Sequence, residues 1–348
     1  MNISIFGLGY VGTVGIGCLA QHGHFLIGVD INEDKVMFIN QGKSPVVEPE
    51  IDSILANQHK LGKIRATSDI KNAVQDSDVS FICAGTPSTS QGHLNLDAIF
   101  RIADDIACVL KEKESFHVIV IRSTVLPGTN EKVGEIIQQG SGKQRGIDFD
   151  VVSNPEFLRE GCAVSDFFSP AYTLIGTSCE VSARIMAEVY QGIDAPLITT
   201  DIKLAEILKY INNSFHALKI VFANEVGNIC KQLHIDALEL MDIFCRDNKL
   251  NISRKYLQPG FAYGGSCLPK DLKALSTIAH DQYISCPVLE NIERSNEIHK
   301  NNILERIMNY GKRKIGFLGL SFKAGTDDLR CSPVVDIIEK LLGKGYDI

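Results

Sequence analysis

Asn2-Ile3-Ser4-Ile5-Phe6-Gly7-Leu8-Gly9-Tyr10-Val11-Gly12 opens the chain and decides its fold. An apolar strand over residues 2–6 runs into a Gly-x-Gly-x-x-Gly turn, and a helical stretch follows to about Gln21. A second strand, Leu26 to Val29, ends in Asp30. Glycines at such a turn let backbone amides approach a pyrophosphate at a helix N-terminus. An acid at the end of the next strand accepts hydrogen bonds from an adenosine ribose, and its charge repels a 2′-phosphate. Gly7, Gly9, Gly12 and Asp30 therefore predict a dinucleotide site for NAD rather than NADP. Lys35 stands close enough to soften that preference, and a tight structural turn is the competing reading.

Outward from this unit, Val79–Cys83, Val118–Ile121 and Val151–Val152 are strand-like and alternate with helical patterns. That alternation predicts an α/β fold, a Rossmann-like doubly wound parallel sheet covered on both faces, over residues 1–195. From Asp201 the pattern changes. Residues 201–233 hold no Gly or Pro until Gly227, and their apolar spacing fits one long helix. A helical middle domain is expected over 196–298, broken by a Gly/Pro-rich loop at Pro259–Pro269; its long helix is a natural dimer surface. At Lys314-Ile315-Gly316-Phe317-Leu318-Gly319 a strand-turn signature returns. A helix from about Pro333 to Gly343 and a strand beginning at Tyr346 mark residues 299–348 as the start of a second α/β domain. That domain reads as incomplete by on the order of 80–100 residues.

Hydrophobic residues make up 45% of the 348 and charged residues 22%, enough apolar material for more than one core. A net charge of −7 argues against general nucleic-acid binding. An anionic substrate would have to be held by locally placed cations and backbone amides. No apolar run reaches the ~18 residues of a membrane span, and Met1–Gly9 lacks the features of a signal peptide. The ten cysteines include no Cys-x-x-Cys pair. They are expected to be reduced thiols in the cytoplasm, mostly buried, with no metal site.

Five further segments can carry chemistry. Thr86 in Gly85-Thr86-Pro87 and Thr124 in Ser123-Thr124-Val125 follow strands, where ligands of parallel sheets bind; each could equally cap its loop. Asn154-Pro155-Glu156-Phe157-Leu158-Arg159-Glu160-Gly161 carries two carboxylates four apart, fit for acid–base work or for a solvated helix start. Lys209, Asn213, His216, Ile220 and Asn224 form one helical stripe, either a site or a solvated face. In Gly264-Gly265-Ser266-Cys267-Leu268-Pro269-Lys270-Asp271, glycines permit close approach and the nearby cation favours a thiolate nucleophile. A free loop cysteine is the alternative.

Taken together, these segments resemble the UDP-glucose/GDP-mannose dehydrogenase family from residue 1 to the end. The most specific pieces are Phe6–Gly12, Asn154–Gly161, Pro259–Asp271 and Gly319–Arg330. Asn40–Pro49 and Lys249–Arg254 look most like the GDP-mannose members. The resemblance implies an enzyme that oxidises a nucleotide-sugar alcohol to a carboxylate in two NAD-dependent steps. Cys267 would be the nucleophile of a thiohemiacetal and a thioester. Lys209 and Asn213 would stabilise oxyanions; Glu160 and Asp271 would handle protons or position water, and Thr124 would join the catalytic set. NAD would contact Tyr10, Val11, Asp30, Lys35, Thr86, Thr124, Lys270 and Arg330. The substrate, GDP-mannose or UDP-glucose, would contact Glu160, Lys209, Asn213, His216, Asn224, Tyr256 and Lys323. A homodimer or larger homo-oligomer, and a place in the synthesis of an acidic polysaccharide, are implied as well. Lys255 stands where an aromatic is usual, Gln258 where an arginine is, and Cys331 where an acid is.

Two rival readings are a one-step Rossmann hydroxyacid dehydrogenase and a non-catalytic NAD-binding fragment. The first needs no cysteine between Gly265 and Pro269. Against the second, every catalytic candidate is present.

Overall fold

The computed structural model describes residues 1–87, 94–253, 260–265, 268–321 and 329–348. They divide into two compact units, Met1–Asn213 and Ser214–Ile348.

In chain order the first unit contains β1 (Asn2–Phe6), α1 (Tyr10–Gln21), β2 (Phe25–Val29), α2 (Glu33–Asn40), α3 (Ile51–Lys60), β3 (Ile64–Thr67), α4 (Ile70–Gln75) and β4 (Val79–Ile82). Then come α5 (Asp97–Leu110), β5 (His117–Ile121), α6 (Thr129–Ser141), β6 (Phe149–Ser153), α7 (Ala163–Phe168), β7 (Thr173–Gly176), α8 (Glu180–Val189) and β8 (Leu197–Thr200). The long helix α9 (Ile202–Gln232) follows.

The strands form one sheet in the order β3-β2-β1-β4-β5-β6-β7-β8. Period-2 alternation divides their side chains between two cores. Ile3, Ile5, Phe81, Val118 and Val120 point to the α1/α3 side. Phe6, Ile27, Val29, Ile82, Ile119 and Ile121 point to the α5/α6 side. Strands buried on both faces read as continuous apolar runs, which is why β1, β4 and β5 were legible. The short strands β3, β7 and β8 were not anticipated. Their sequences, Ile-Arg-Ala-Thr, Thr-Leu-Ile-Gly and Leu-Ile-Thr-Thr, mix polar residues into four positions.

The sheet is parallel, as expected, through β3-β2-β1-β4-β5-β6, with a reversal at one edge. β6 and β7 pair antiparallel, so β7 and β8 run against the other six strands. The intervening α7 has six residues, about 9 Å of helix against the ~16 Å of a five-residue strand. It is too short to carry the chain back along β6, so β7 starts where β6 stops.

Helix α9 opens on Asp201, whose Oδ1 accepts from the N–H groups of Lys203 (2.8 Å) and Leu204 (3.3 Å). One turn further, buried Glu206 accepts from the N–H groups of Gly128 and Asn130 at 2.7 and 2.8 Å, and from the Asn130 amide at 2.7 Å. Helix α6 has no side-chain cap of its own at Gly128. Glu206 supplies it and seats α9 against the loop that follows β5.

The second unit holds the later turns of α9, α10 (Ala237–Cys245), α11 (Leu268–Asp281), α12 (Pro287–Asn309) and α13 (Pro333–Leu342). Ile229, Ala279, Cys286 and Leu289 form one small core and Leu304, Ile337 and Leu341 another. Glu225 repeats the role of Glu206, accepting from Val288 N (2.8 Å) and Leu289 N (3.1 Å) at the start of α12. The strand expected at Lys314–Gly319 is reduced to one parallel bridge, Lys314 to Asp347. Its two hydrogen bonds are Ile315 N to Asp347 O and Asp347 N to Arg313 O, each 2.8 Å. A strand needs a ladder, and each segment has one short neighbour. Of the nine cysteines described, four are buried (Cys18, Cys83, Cys230, Cys286), so the expectation of mostly buried thiols is not met. Among the described residues no helix is long and apolar enough to cross a membrane.

Candidate functional site

The glycine turn has the build that a pyrophosphate requires. Gly7 has φ +96°, and a Cβ there would sit 2.9 Å from Cys83 O. A Cβ on Gly12 would lie 1.9 Å from Gly7 O, so turn and helix close on each other without a side chain between them. Gly9 has nothing within 4 Å of a Cβ and is the N-cap of α1, with no side chain capping the helix. The first N–H groups of α1, at Tyr10 and Val11, are thus left for an anion on the open side of the turn.

Asp30, at the end of β2, braces this turn. Its Oδ2 accepts from Leu8 N at 2.7 Å and its Oδ1 from Asn32 N at 2.8 Å. Lys35 Nζ lies 3.6 Å away. A carboxylate has about four acceptor positions, so two remain for ribose hydroxyls. Thr86 and Thr124 meet directly, with the Thr86 hydroxyl donating to Thr124 O at 2.9 Å. Ser123 Oγ donates to Ala84 O at 2.7 Å and ties the same two loops. These residues fit a dinucleotide along the carboxyl ends of β1, β4 and β5.

Past β6, the two acids of the Asn154–Gly161 loop part company. The segment is not helical, which removes the helix-start alternative. Glu156 turns inward: its Oε1 lies 3.0 Å from Lys209 Nζ and its Oε2 accepts from Leu158 N at 2.6 Å. The Lys209 ammonium also lies 5.7 Å from the centroid of the Phe157 ring. Both charged side chains are nearly buried, at 10% and 12% exposure. Glu160 is exposed at the loop tip. The loop is fastened by Arg159, which makes a two-pronged contact with Asp166 at 3.0 and 2.7 Å.

Beneath it lies a polar knot that sequence reasoning missed. Arg122 Nη1 donates to Asn154 Oδ1 (2.7 Å) and to Tyr190 OH (3.0 Å), and Tyr190 OH donates to the same Asn154 oxygen at 2.6 Å. Nothing local links Arg122, just past β5, to Tyr190 at the C-terminal end of α8; tertiary structure alone brings them together. Burial pushes the Cys83 thiol up to about 12 despite Arg122, so this cysteine under the turn is inert.

On α9 the predicted stripe divides. Lys209 is buried, whereas Asn213 is exposed. In the second unit His216 and Asn224 are exposed on the same helix. That unit also holds the approach to the predicted nucleophile. A Cβ on Gly264 would sit 2.2 Å from Cys331 O, and Gly265 has φ +91°, so the glycine pair is required by close approach and by backbone. Asn296 of α12 clasps Tyr263 through its backbone N–H and carbonyl at 3.1 and 3.0 Å. Arg330 is exposed in the turn beside Cys331. Lys270 and Asp271 fall in the first turn of α11, but their side chains lie outside the described set, as do Cys267, Tyr256 and Lys323 altogether.

Three family models match the chain in succession. They are the NAD-binding domain of the UDP-glucose/GDP-mannose dehydrogenase family at 1–194, its central domain at 203–298 and its UDP-binding domain at 316–348. A GDP-mannose 6-dehydrogenase of Pseudomonas aeruginosa is 49% identical over 100% of this chain and 80% of its own. A UDP-glucose 6-dehydrogenase of Haloferax volcanii is 37% identical over 100% and 82%. The crystal structure of a ternary complex of GDP-mannose dehydrogenase from P. aeruginosa superposes with a TM-score of 0.98 over 100% of this chain and 80% of that one. A UDP-glucose dehydrogenase from Pyrobaculum islandicum gives 0.69 at 34% identity, over 99% and 80%.

Proposed function

We propose, from the premise that this chain belongs to the UDP-glucose/GDP-mannose dehydrogenase family and is an NAD-dependent nucleotide-sugar dehydrogenase, that it oxidises C6 of GDP-mannose to the carboxylate. The observation that carries this reading is Lys209, a nearly buried cation held at 3.0 Å by Glu156 in the loop after β6. The assignment to GDP-mannose rests on 49% identity to a GDP-mannose 6-dehydrogenase against 37% to a UDP-glucose enzyme.

NAD, when bound, would supply the hydride acceptor, one molecule for each of the two oxidations of C6, the first NADH leaving before the second NAD binds. In the first oxidation, the C6 hydroxyl gives its proton to a carboxylate or to water positioned by Glu160 or Asp271, and the aldehyde results. The Cys267 sulfur then bonds to C6, and the oxyanion takes up a proton as a thiohemiacetal. Loss of the second hydride and the hydroxyl proton leaves a thioester. Water adds to it, the C–S bond breaks, and the acid departs as the thiol is restored. Lys209 and Asn213 act as fixed donors to the C6 oxygen whenever it carries negative charge, stabilisation that a preorganised cation supplies without reorganisation. Glu156 aims Lys209, and Thr124, on the loop after β5, would join the catalytic set.

His216, Asn224, Tyr256 and Lys323 would hold the sugar nucleotide, and Lys270 and Arg330 the NAD. The chain would act in the cytoplasm as a homodimer or larger homo-oligomer. Apolar α9 side chains left in solvent by a single chain support an oligomer, among them Ile211 (57% exposed) and Ile220 (62%).

The substrate is tested by kcat/KM for GDP-mannose and UDP-glucose under one set of conditions. A preference for GDP-mannose of tenfold or more, about 1.4 kcal/mol, is expected. Equal values or a reversed preference would reassign the sugar nucleotide.

A further inference from the structure

Glu48 joins the glycine turn at Tyr10 to Gly161, which lies 113 residues beyond Glu48 in the chain. Glu48 is 6% exposed. Oε2 accepts from the Tyr10 phenol and from Gly161 N (2.7 Å), and Oε1 accepts from Ala163 N (2.7 Å). Tyr10 is the first residue of α1, on the glycine turn. Gly161 follows Glu160 directly and has φ +83°, a left-handed conformation that fixes where the loop tip points. Glu48 itself is offered from a braced segment, since Ser44 Oγ donates to Val46 O (2.6 Å) and accepts from Val46 N (3.1 Å).

Hydrogen bonds to an ionised acceptor are roughly twice as strong as neutral ones. Burial alone would raise the pKa of Glu48, but the bonds from Tyr10, Gly161 and Ala163 outweigh it and hold the carboxylate ionised. Both oxygens are committed to these donors, which leaves Glu48 no part in the chemistry of a substrate. The other fastenings of the loop, Arg159 to Asp166 and Leu158 to Glu156, stay on its own side. The bonds of Glu48 reach the cofactor turn, and the Gly161 N–H also hydrogen-bonds the Tyr10 phenol.

We propose that Glu48 is a positioning residue that couples NAD binding at the Tyr10 turn to the placement of Glu160, so that cofactor and nucleotide sugar bind with positive cooperativity. The proposal rests on the functional reading above for what occupies each side. A dinucleotide seated on the turn fixes Tyr10; Tyr10 fixes the shared Oε2; and Oε2 fixes Gly161 and with it the direction of Glu160. By linkage the effect is reciprocal, the sugar nucleotide tightening NAD by the same factor.

The test is calorimetric titration of the full chain with GDP-mannose, alone and with saturating NADH, which occupies the turn without accepting a hydride. The wild type is expected to bind GDP-mannose at least about fivefold more tightly with NADH, the low end of typical coupling. Glu48→Gln should bring the ratio to about one. Tyr10→Phe should do the same while leaving the Gly161 and Ala163 bonds in place, and it keeps the test sharp if Glu48→Gln folds poorly. A wild-type ratio of one, or a ratio unchanged in Tyr10→Phe, would overturn the proposal. A parallel titration with UDP-glucose separates the two claims. Coupling seen only with UDP-glucose would correct the substrate and leave the role of Glu48 standing.

Discussion

Lys209 Nζ lies 3.0 Å from Glu156 Oε1, and the two side chains are 10% and 12% exposed. A pair taken this far from water is strongly destabilising to break from one side, because the remaining charge is left unpaired. Its position beside the β5 loop and the Asn154–Gly161 loop gives that cost a use. In the proposed mechanism this ammonium is the fixed donor to the C6 oxygen as it becomes charged.

Lys209→Ala should therefore lower kcat by roughly 10²–10³ with a much smaller change in KM, the pattern of a lost oxyanion donor. Steady-state kinetics and a melting curve check this together. A kcat within a few fold of wild type would remove Lys209 from the chemistry.

The glycine turn separates fold from binding. Gly9→Ala adds a methyl into open space, so its melting temperature should match wild type while the Kd for NAD rises at least tenfold, by about 1.4 kcal/mol. Gly12→Ala drives a Cβ into the Gly7 carbonyl, 1.9 Å away, and should lower the melting temperature as well. Equal NAD affinity in Gly9→Ala and wild type would mean that the dinucleotide does not lie over this turn.

Asp30 sets the choice between cofactors. The wild type should prefer NAD to NADP, and Asp30→Ser should narrow the gap by weakening NAD and admitting the 2′-phosphate beside Lys35. The loss for NAD is expected near tenfold, since hydrogen bonds to a charged group are worth about 1.5–3 kcal/mol. Kd values for both cofactors decide it. An unchanged ratio would show that the ribose is held elsewhere.

Stability should depend on pH through His117. Its ring is fully buried at the foot of the sheet, 2.8 Å from Ser80 Oγ, in a chain of hydroxyls that continues to Ser4 at 2.7 Å. Burial, and then the charge of Lys113, push its pKa from 6.5 to about 3. Between those values the unfolded chain binds the proton and the folded chain does not. This contribution is complete above about pH 6.5 and is lost as pH falls toward 3. His117→Gln keeps an acceptor for Ser80 and should flatten the fall in urea midpoint between pH 7.5 and 5. A mutant with the same slope as wild type would assign the acid sensitivity to other groups.

How much the sequence discloses depends on how local each signal is. The glycine turn, Asp30 and the long α9 helix were legible because spacing alone defines them. Three short strands were not, and neither was the reversal after β6, which a six-residue α7 causes. At the site, Glu156 and Glu160 look equivalent in sequence, and only tertiary contact with Lys209 tells the buried acid from the exposed one. Arg122, Asn154 and Tyr190 come from the loop after β5, the loop after β6 and the end of α8, so no periodicity could have grouped them. Glu48 stood in a stretch noted for its resemblance, with nothing nearby to say that it would bridge Tyr10 and Gly161.

The most direct test of the central claim is the yield of NADH per mole of GDP-mannose consumed, for this chain and for its Cys267→Ser variant. Two NADH per sugar, falling below a hundredth of the wild-type rate in the variant, is the predicted result. One NADH per sugar, or an undiminished yield without the Cys267 thiol, would contradict a thioester route.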